Sequence, residues 1–339
     1  MRRFLKKVSI GVLIVILAAF GMDLLISTDS PEMADLLFAK REYFEKNKSK
    51  YDVVTFGSSL VQMHHSPAVF DEITGLKSFN FGVGGMFGNE KFNIFNSMLR
   101  EGYFDDTKYV IYEMGRLVDF EQMDRKIESM RGRFYFTFSD FVLLTRLIVT
   151  ADGNREGKID HFKKAVSYFF KSRLKVSPIE SYFISRSLDE VENNGFNALA
   201  LDTASMKDVG MWALAQEKRL AEKRIEQSRS IRKKFEAEDF LIDAYAELAN
   251  RCSERGITIV FLISPKSLSV SRYEENSYLI SIKEHLSERF HFIDLSNPAE
   301  YPGFFDVQNS VSTNHMNLNG AILFSEKLGE KFNEVVLGN

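Results

Sequence analysis

Ser58 and Ser59 close the apolar run Tyr51-Asp52-Val53-Val54-Thr55-Phe56-Gly57. A hydroxyl at the end of a buried strand, where the next helix begins, lies among outward-pointing N–H groups that favour negative charge. Far downstream, Ser312-Thr313-Asn314-His315-Met316-Asn317-Leu318-Asn319-Gly320 sets a histidine in a polar, turn-like run. A strand-end serine and a distant loop histidine are the minimum set for nucleophilic acyl chemistry, because the hydroxyl needs a base to take its proton. Between them, Asn80-Phe81-Gly82-Val83-Gly84-Gly85 ends a second strand-like run. Successive glycines there let the backbone approach a ligand and aim N–H groups at a developing oxyanion.

Each segment also has a plainer reading. Ser59 suits a helix cap, the glycines a turn, and His315 a surface or capping position. Chemistry therefore requires that separate elements bring the three together. The expected strands are Asp52–Gly57, Ser78–Gly84, Lys108–Gly115, Ile257–Ser264 and His291–Ser296, short β-branched or aromatic runs bounded by glycine, proline or polar residues. Nearly continuous apolar runs such as Tyr109–Tyr112 and Ile257–Ile263 suit strands covered on both faces. Helical spacing between them, as in Leu241, Tyr245, Leu248 and Cys252, keeps the order strand–helix–strand. The expectation is an α/β, doubly wound, flavodoxin-like parallel sheet of about five strands with helices on both faces. Such sheets bind ligands at the carboxyl ends of their strands, where Ser59 and Gly84-Gly85 would lie.

At 339 residues the chain is long enough to bury a sizeable core. Its net charge of -3 gives no electrostatic case for a nucleic-acid ligand. The one cysteine, Cys252, excludes an intrachain disulfide and reads as a buried, inert thiol. His64-His65 is the one histidine pair, and adjacent side chains diverge, so no metal site is expected. Neither a Lys-Ser/Thr pair nor G-x-G-x-x-G spacing accompanies the glycines, and no cofactor is expected.

Arg2, Arg3, Lys6 and Lys7 precede an uncharged run from Val8 to Met22, and apolar residues resume after Asp23 through Ile26. A span needs roughly 20 such residues, so residues 1–27 read as an N-terminal transmembrane helix, with a cleavable signal peptide as the rival. The positive-inside rule then places the remainder on the periplasmic or extracellular side of the cytoplasmic membrane. Residues 28–50 read as a polar, helical stalk carrying Phe38 and Phe44, and the domain proper as 51–339. Within it, about 117–239 reads as a large helical insertion, aromatic-rich at Phe134, Tyr135, Phe136, Phe138 and Phe141 and charge-interleaved from Gln216.

Together the three segments resemble the SGNH/GDSL hydrolase superfamily, in particular its membrane-anchored, envelope-facing branch. The resemblance covers Tyr51–Arg116 and Gly256–Leu337. Gly57-Ser58-Ser59 matches the family's first block and implies Ser59 as nucleophile. The Gly84-Gly85 neighbourhood matches the second, implying oxyanion donors at Ser59, Gly85 and Gly84. His315-Met316-Asn317-Leu318-Asn319-Gly320 matches the last, implying His315 as base. Two positions depart from the pattern: Ser312 stands where the family has aspartate, and Glu113-Met114-Gly115-Arg116 lacks an asparagine donor. Ser312 can accept a hydrogen bond from the imidazole but cannot stabilise imidazolium as a carboxylate does, and Asp306 is a candidate substitute.

The resemblance implies a serine esterase or O-acyltransferase acting on acylated cell-envelope glycan, exopolysaccharide or a lipid-linked polymer, alongside an integral-membrane acyltransferase partner. The departures favour a second expectation, a catalytically weak or inactive scaffold or glycan-binding component of an envelope assembly.

Overall fold

The computed structural model describes residues 36–86, 88–115, 194–196, 239–266, 277–312 and 314–338, with scattered helical positions between 138 and 169. Five strands form one parallel sheet: β1 (Val53–Gly57), β2 (Ser78–Gly82), β3 (Tyr109–Glu113), β4 (Thr258–Ile263) and β5 (His291–Asp294). Their spatial order is β2-β1-β3-β4-β5. The registers Thr55↔Asn80 and Thr55↔Ile111 align β1 with both neighbours, so Gly57, Gly82 and Glu113 end at one edge. All five expected runs are strands, each starting or ending one or two residues inside the expected limits.

The alternating pleat sends side chains to two apolar layers. On one face Val53, Ile111, Val260, Leu262 and Ile293 pack with Phe70 from helix α3 (Pro67–Thr74) and with Phe324, Leu328 and Phe332 from helix α7 (Leu318–Phe332). On the other, Phe56 stacks on Phe81 and Tyr112, and Tyr112 and Phe261 meet Tyr245 from helix α5 (Asp239–Ser253) edge-on. Much of the chain's phenylalanine excess is thus core. Cys252 is fully buried on α5, and burial raises its thiol to about 12, leaving it protonated and inert.

Helix α1 (Leu36–Asn47) lies within the segment expected to be a polar, helical stalk, and one of its faces is buried. Leu37, Lys40 and Phe44 are fully buried, and Phe44 lies against Tyr51, Phe79, Phe81 and Phe104. The Lys40 ammonium donates to the carbonyls of Gly82 and Gly195, both at 2.6 Å. A lysine so placed lowers the apparent hydrophobicity of a helix that is nonetheless core.

Part of the expected insertion closes the free edge of β2: Asn80 N donates to Asn194 O at 2.9 Å, and Tyr51 Oη donates to Asn194 Oδ1. The chain divides into two compact units. The sheet, α1, α5, α7 and Asn194–Phe196 belong to one; the other includes Phe92–Ser97 and the described positions from 138 to 169. In that second unit Phe138, Phe141, Phe162 and Phe169 form a ring cluster with centroids 5.4–6.3 Å apart. The rest of the insertion and the N-terminal apolar segment lie outside the described residues. Among those described, no helix is long and apolar enough to cross a membrane.

Candidate active site

Gly57 ends β1, and the chain turns at once into the short helix α2 (Ser59–His64). Ser58 is its N-cap: the backbone is extended, and Ser58 Oγ accepts from Leu60 N at 3.3 Å. Ser59 therefore takes the first helical position, where a backbone N–H has no intrahelical acceptor. The last turn is tied down by Asn80, whose Nδ2 donates to the carbonyls of Val61 (2.8 Å) and His65 (2.7 Å) while Oδ1 accepts from Gly82 N. Gly82 must be glycine, because a Cβ there would stand 2.2 Å from Gln62 N. These contacts press α2 onto the end of β2.

The histidine segment reaches the same edge from the other end of the chain. Val311 N and Ser312 N donate to His315 O, closing a tight turn. Met316, fully buried, plugs the core beside Phe324. Asn317 caps α7, accepting from Gly320 N at 3.1 Å and donating to Gln308 O at 2.7 Å. Gly320 passes so near Asn309 O that a Cβ would lie 2.2 Å from it. The Met-Asn-x-x-Gly spacing is thus a plug, a cap and a close approach, and together they aim His315 back over the sheet edge.

The structure brings Ser59 and His315 together: His315 Nε2 lies 2.9 Å from Ser59 Oγ, both half-buried. Ser312 is the residue behind the imidazole, with Oγ 3.2 Å from His315 Nδ1. The same oxygen accepts from Asn314 N (3.3 Å) and His315 N (3.1 Å). To act as a base toward Ser59, His315 needs its Nε2 lone pair free, which requires the tautomer protonated on Nδ1, the nitrogen that faces Ser312. Burial lowers the pKa of His315 below its ordinary value, keeping the ring neutral at neutral pH.

Asp306 is not brought to the imidazole. Its side chain accepts from Gln308 N at 2.9 Å, capping the 3-10 turn Val307–Asn309. Gly84 lies beside the serine, since a Cβ added to it would be 3.9 Å from Ser59 Cβ. Gly85 follows at φ 77, the left-handed region that favours glycine. At the end of β3, where an asparagine donor was absent from the sequence, Met114 N donates to Leu262 O and Gly115 N to Tyr245 Oη. Arg116 lies outside the described residues.

Two groups at the site had no assigned role in the sequence. His64, the last residue of α2, is fully buried, and its Nε2 accepts from Met316 N at 3.0 Å. Burial, then the proximity of His315, pushes it down to about 3. Its neighbour His65 turns the other way, edge-on to Phe70, so the pair diverges. The second group is a buried ion pair, Lys91 Nζ to Glu113 Oε2 at 3.1 Å. Glu113 also accepts from Ser58 N (2.6 Å) and Ser58 Oγ (3.1 Å). A charged residue closing the apolar strand Tyr109–Tyr112 was the one available signal for it.

Among the described residues no group of three or more His, Cys, Asp or Glu could hold a metal ion. No protein-family model matches the chain, and no curated protein sequence matches it.

Proposed function

We propose that the protein is a serine esterase or O-acyltransferase of SGNH type, and the observation that carries this is the 2.9 Å contact of Ser59 Oγ with His315 Nε2. The strand order β2-β1-β3-β4-β5 is that of a flavodoxin-like, doubly wound sheet, and Ser59 stands at its carboxyl edge, in keeping with that reading. Ser59 Oγ attacks the carbonyl carbon of an acyl ester as its proton passes to His315 Nε2. The N–H groups of Ser59 and Gly85 hold the oxyanion. Collapse expels the alcohol, which takes the proton from His315 and leaves an acyl group on Ser59. Water or a sugar hydroxyl then gives its proton to His315 as it attacks the acyl-serine, and His315 passes that proton to the departing Ser59 Oγ, releasing the acid or the new ester.

The substrate class rests on the resemblance to the membrane-anchored, envelope-facing SGNH branch, and the N-terminal segment supports it. A basic flank and an apolar run of near-spanning length support a single-pass protein with its domain outside the cytoplasmic membrane. Ester-bearing envelope glycans, exopolysaccharide or lipid-linked polymers are the acyl esters and acceptors of that compartment, handled beside an integral-membrane acyltransferase. Hydrolysis of an aryl acetate by the purified full-length chain tests the reading. Ser59→Ala should abolish turnover, and undiminished turnover in that variant would sink it.

One observation favours a second reading, a weak or inactive scaffold: the group behind the imidazole is the Ser312 hydroxyl, while Asp306 caps a turn. A folded protein that binds acylated glycan without turnover would establish that reading instead.

A further inference from the structure

The Glu113–Lys91 pair holds Ser58, the residue that precedes the proposed nucleophile. Both side chains are almost wholly buried, at 5% and 2% exposure. Glu113 receives three donors: Ser58 N, Ser58 Oγ and Lys91 Nζ. Both oxygens are engaged: Oε2 accepts from Ser58 N and from Lys91 Nζ, and Oε1 from Ser58 Oγ. Burial pulls the Lys91 ammonium below its ordinary value, and Glu113 opposes that pull. Other contacts of Lys91 are Met114 O at 3.4 Å and the face of Tyr112 at 5.8 Å.

The glycines around the pair record its importance to the turn. A Cβ on Gly57 would lie 2.6 Å from Glu113 Oε2, and one on Gly115 would lie 3.3 Å from Lys91 Nζ. Gly57 is thus the space that lets the carboxylate reach Ser58. By holding both Ser58 N and Ser58 Oγ, Glu113 fixes the cap residue and with it the direction of the next residue, Ser59. It also sets a negative charge one residue from the place where the oxyanion develops. Left alone, that charge would oppose the transition state in a poorly solvated setting. Lys91 balances it.

We infer that Glu113 and Lys91 are positioning residues of the Ser59 nucleophile: the carboxylate orients the Ser58-Ser59 turn, and the ammonium cancels its field at the oxyanion. This rests on the serine-nucleophile reading. It separates from a purely structural ion pair through charge balance. Replacing a buried pair by neutral residues of similar shape is often harmless to stability, whereas removing one partner strands a charge. Glutamine at 113 keeps an acceptor for Ser58 N and a donor for Ser58 Oγ.

The test is the rate of fluorophosphonate labelling of Ser59 in the full-length chain, read beside urea unfolding midpoints. Lys91→Met should label at least tenfold more slowly than wild type. The double variant Glu113→Gln/Lys91→Met, neutral and similarly shaped, should recover to within about threefold of wild type. Glu113→Asp keeps the charge but withdraws it from Ser58, so it should also label slowly; it serves in place of Lys91→Met should that variant not fold. Labelling of Lys91→Met or Glu113→Asp at the wild-type rate would overturn the inference, as would a folded double variant no faster than the single. Wild type that fails to label at Ser59 would overturn the serine reading itself, and this inference with it.

Discussion

His64 Nε2 accepts the Met316 backbone N–H at 3.0 Å, so the helix that starts with Ser59 ends by gripping the peptide just after His315. One six-residue helix therefore sets both partners of the 2.9 Å contact. Ser325 Oγ on α7 reinforces the grip, accepting from Ser66 N at 2.7 Å and lying 3.1 Å from His64 O. His64→Phe keeps a ring against Phe324 but leaves the Met316 N–H without its acceptor, a loss of about 1–3 kcal/mol. We expect a lower urea midpoint and slower labelling of Ser59. An unchanged rate would show that the grip does not set the geometry.

Ser312 offers His315 a hydroxyl where a carboxylate would stabilise imidazolium. Ser312→Asp should raise the His315 pKa and speed aryl acetate turnover by about tenfold, since one pKa unit corresponds to about 1.4 kcal/mol. Asp306→Asn, by contrast, retains a good capping residue on a turn remote in function from the imidazole, and turnover should stay within about twofold. Steady-state kinetics of the two variants check both outcomes. Loss of activity in Asp306→Asn alone would reverse the assignment of these positions.

Burial lowers the pKa of His315, so its base form persists to more acid pH than that of a free imidazole. The acid limb of the wild-type rate profile should fall below the ordinary histidine value of about 6.5. In Ser312→Asp that limb should move upward. A wild-type limb above the ordinary value would contradict the assigned environment.

Stability should depend on the two histidines that do no chemistry. His64 and His65 are both pushed down to about 3, burial being the first cause for each. Between that value and the unfolded value near 6.5 the unfolded chain binds more protons. Their contribution is therefore fully present above 6.5 and lost as pH falls, at about 1.4 kcal/mol per unit for each histidine. Urea midpoints should drop between pH 7.5 and pH 5. His65→Phe, which replaces a ring whose nitrogens have no partner among the described residues, should lessen that drop. Equal pH slopes in variant and wild type would refute the account.

Gly57→Ala should destabilise the fold by about 3 kcal/mol or more, because its Cβ would fall 2.2 Å from Val61 Cγ2 and 2.6 Å from Glu113 Oε2. Thermal unfolding measures it. A neutral alanine would mean the turn is less constrained than the contacts require.

The five strands were readable because a strand covered on both faces must be apolar almost throughout, as Tyr109–Tyr112 and Ile259–Ile263 are. Their expected ends ran long because Val83, Met114 and Leu295 remain buried beyond the last ladder position. Ser312 was legible as a neighbour of His315 only through the resemblance, as the residue three before the histidine, and a turn of that length holds the two together. Asp306 was misleading: a carboxylate in a loop is claimed by the nearest free N–H, here Gln308 N, and nothing in sequence order reveals that. The burial of helix α1 was hidden by Lys40, whose partners are backbone carbonyls that carry no sequence signature. Glu113 reaches Ser58 across 55 positions of chain, a pairing set by the register of β1 and β3 alone.

The most direct measurement is mass-spectrometric mapping of the full-length chain after reaction with a fluorophosphonate, in wild type and in His315→Ala. Modification of Ser59 in wild type, lost or greatly slowed in the variant, is the result this account predicts. A folded wild-type protein left unmodified, or modified at Ser59 equally well without His315, would contradict it.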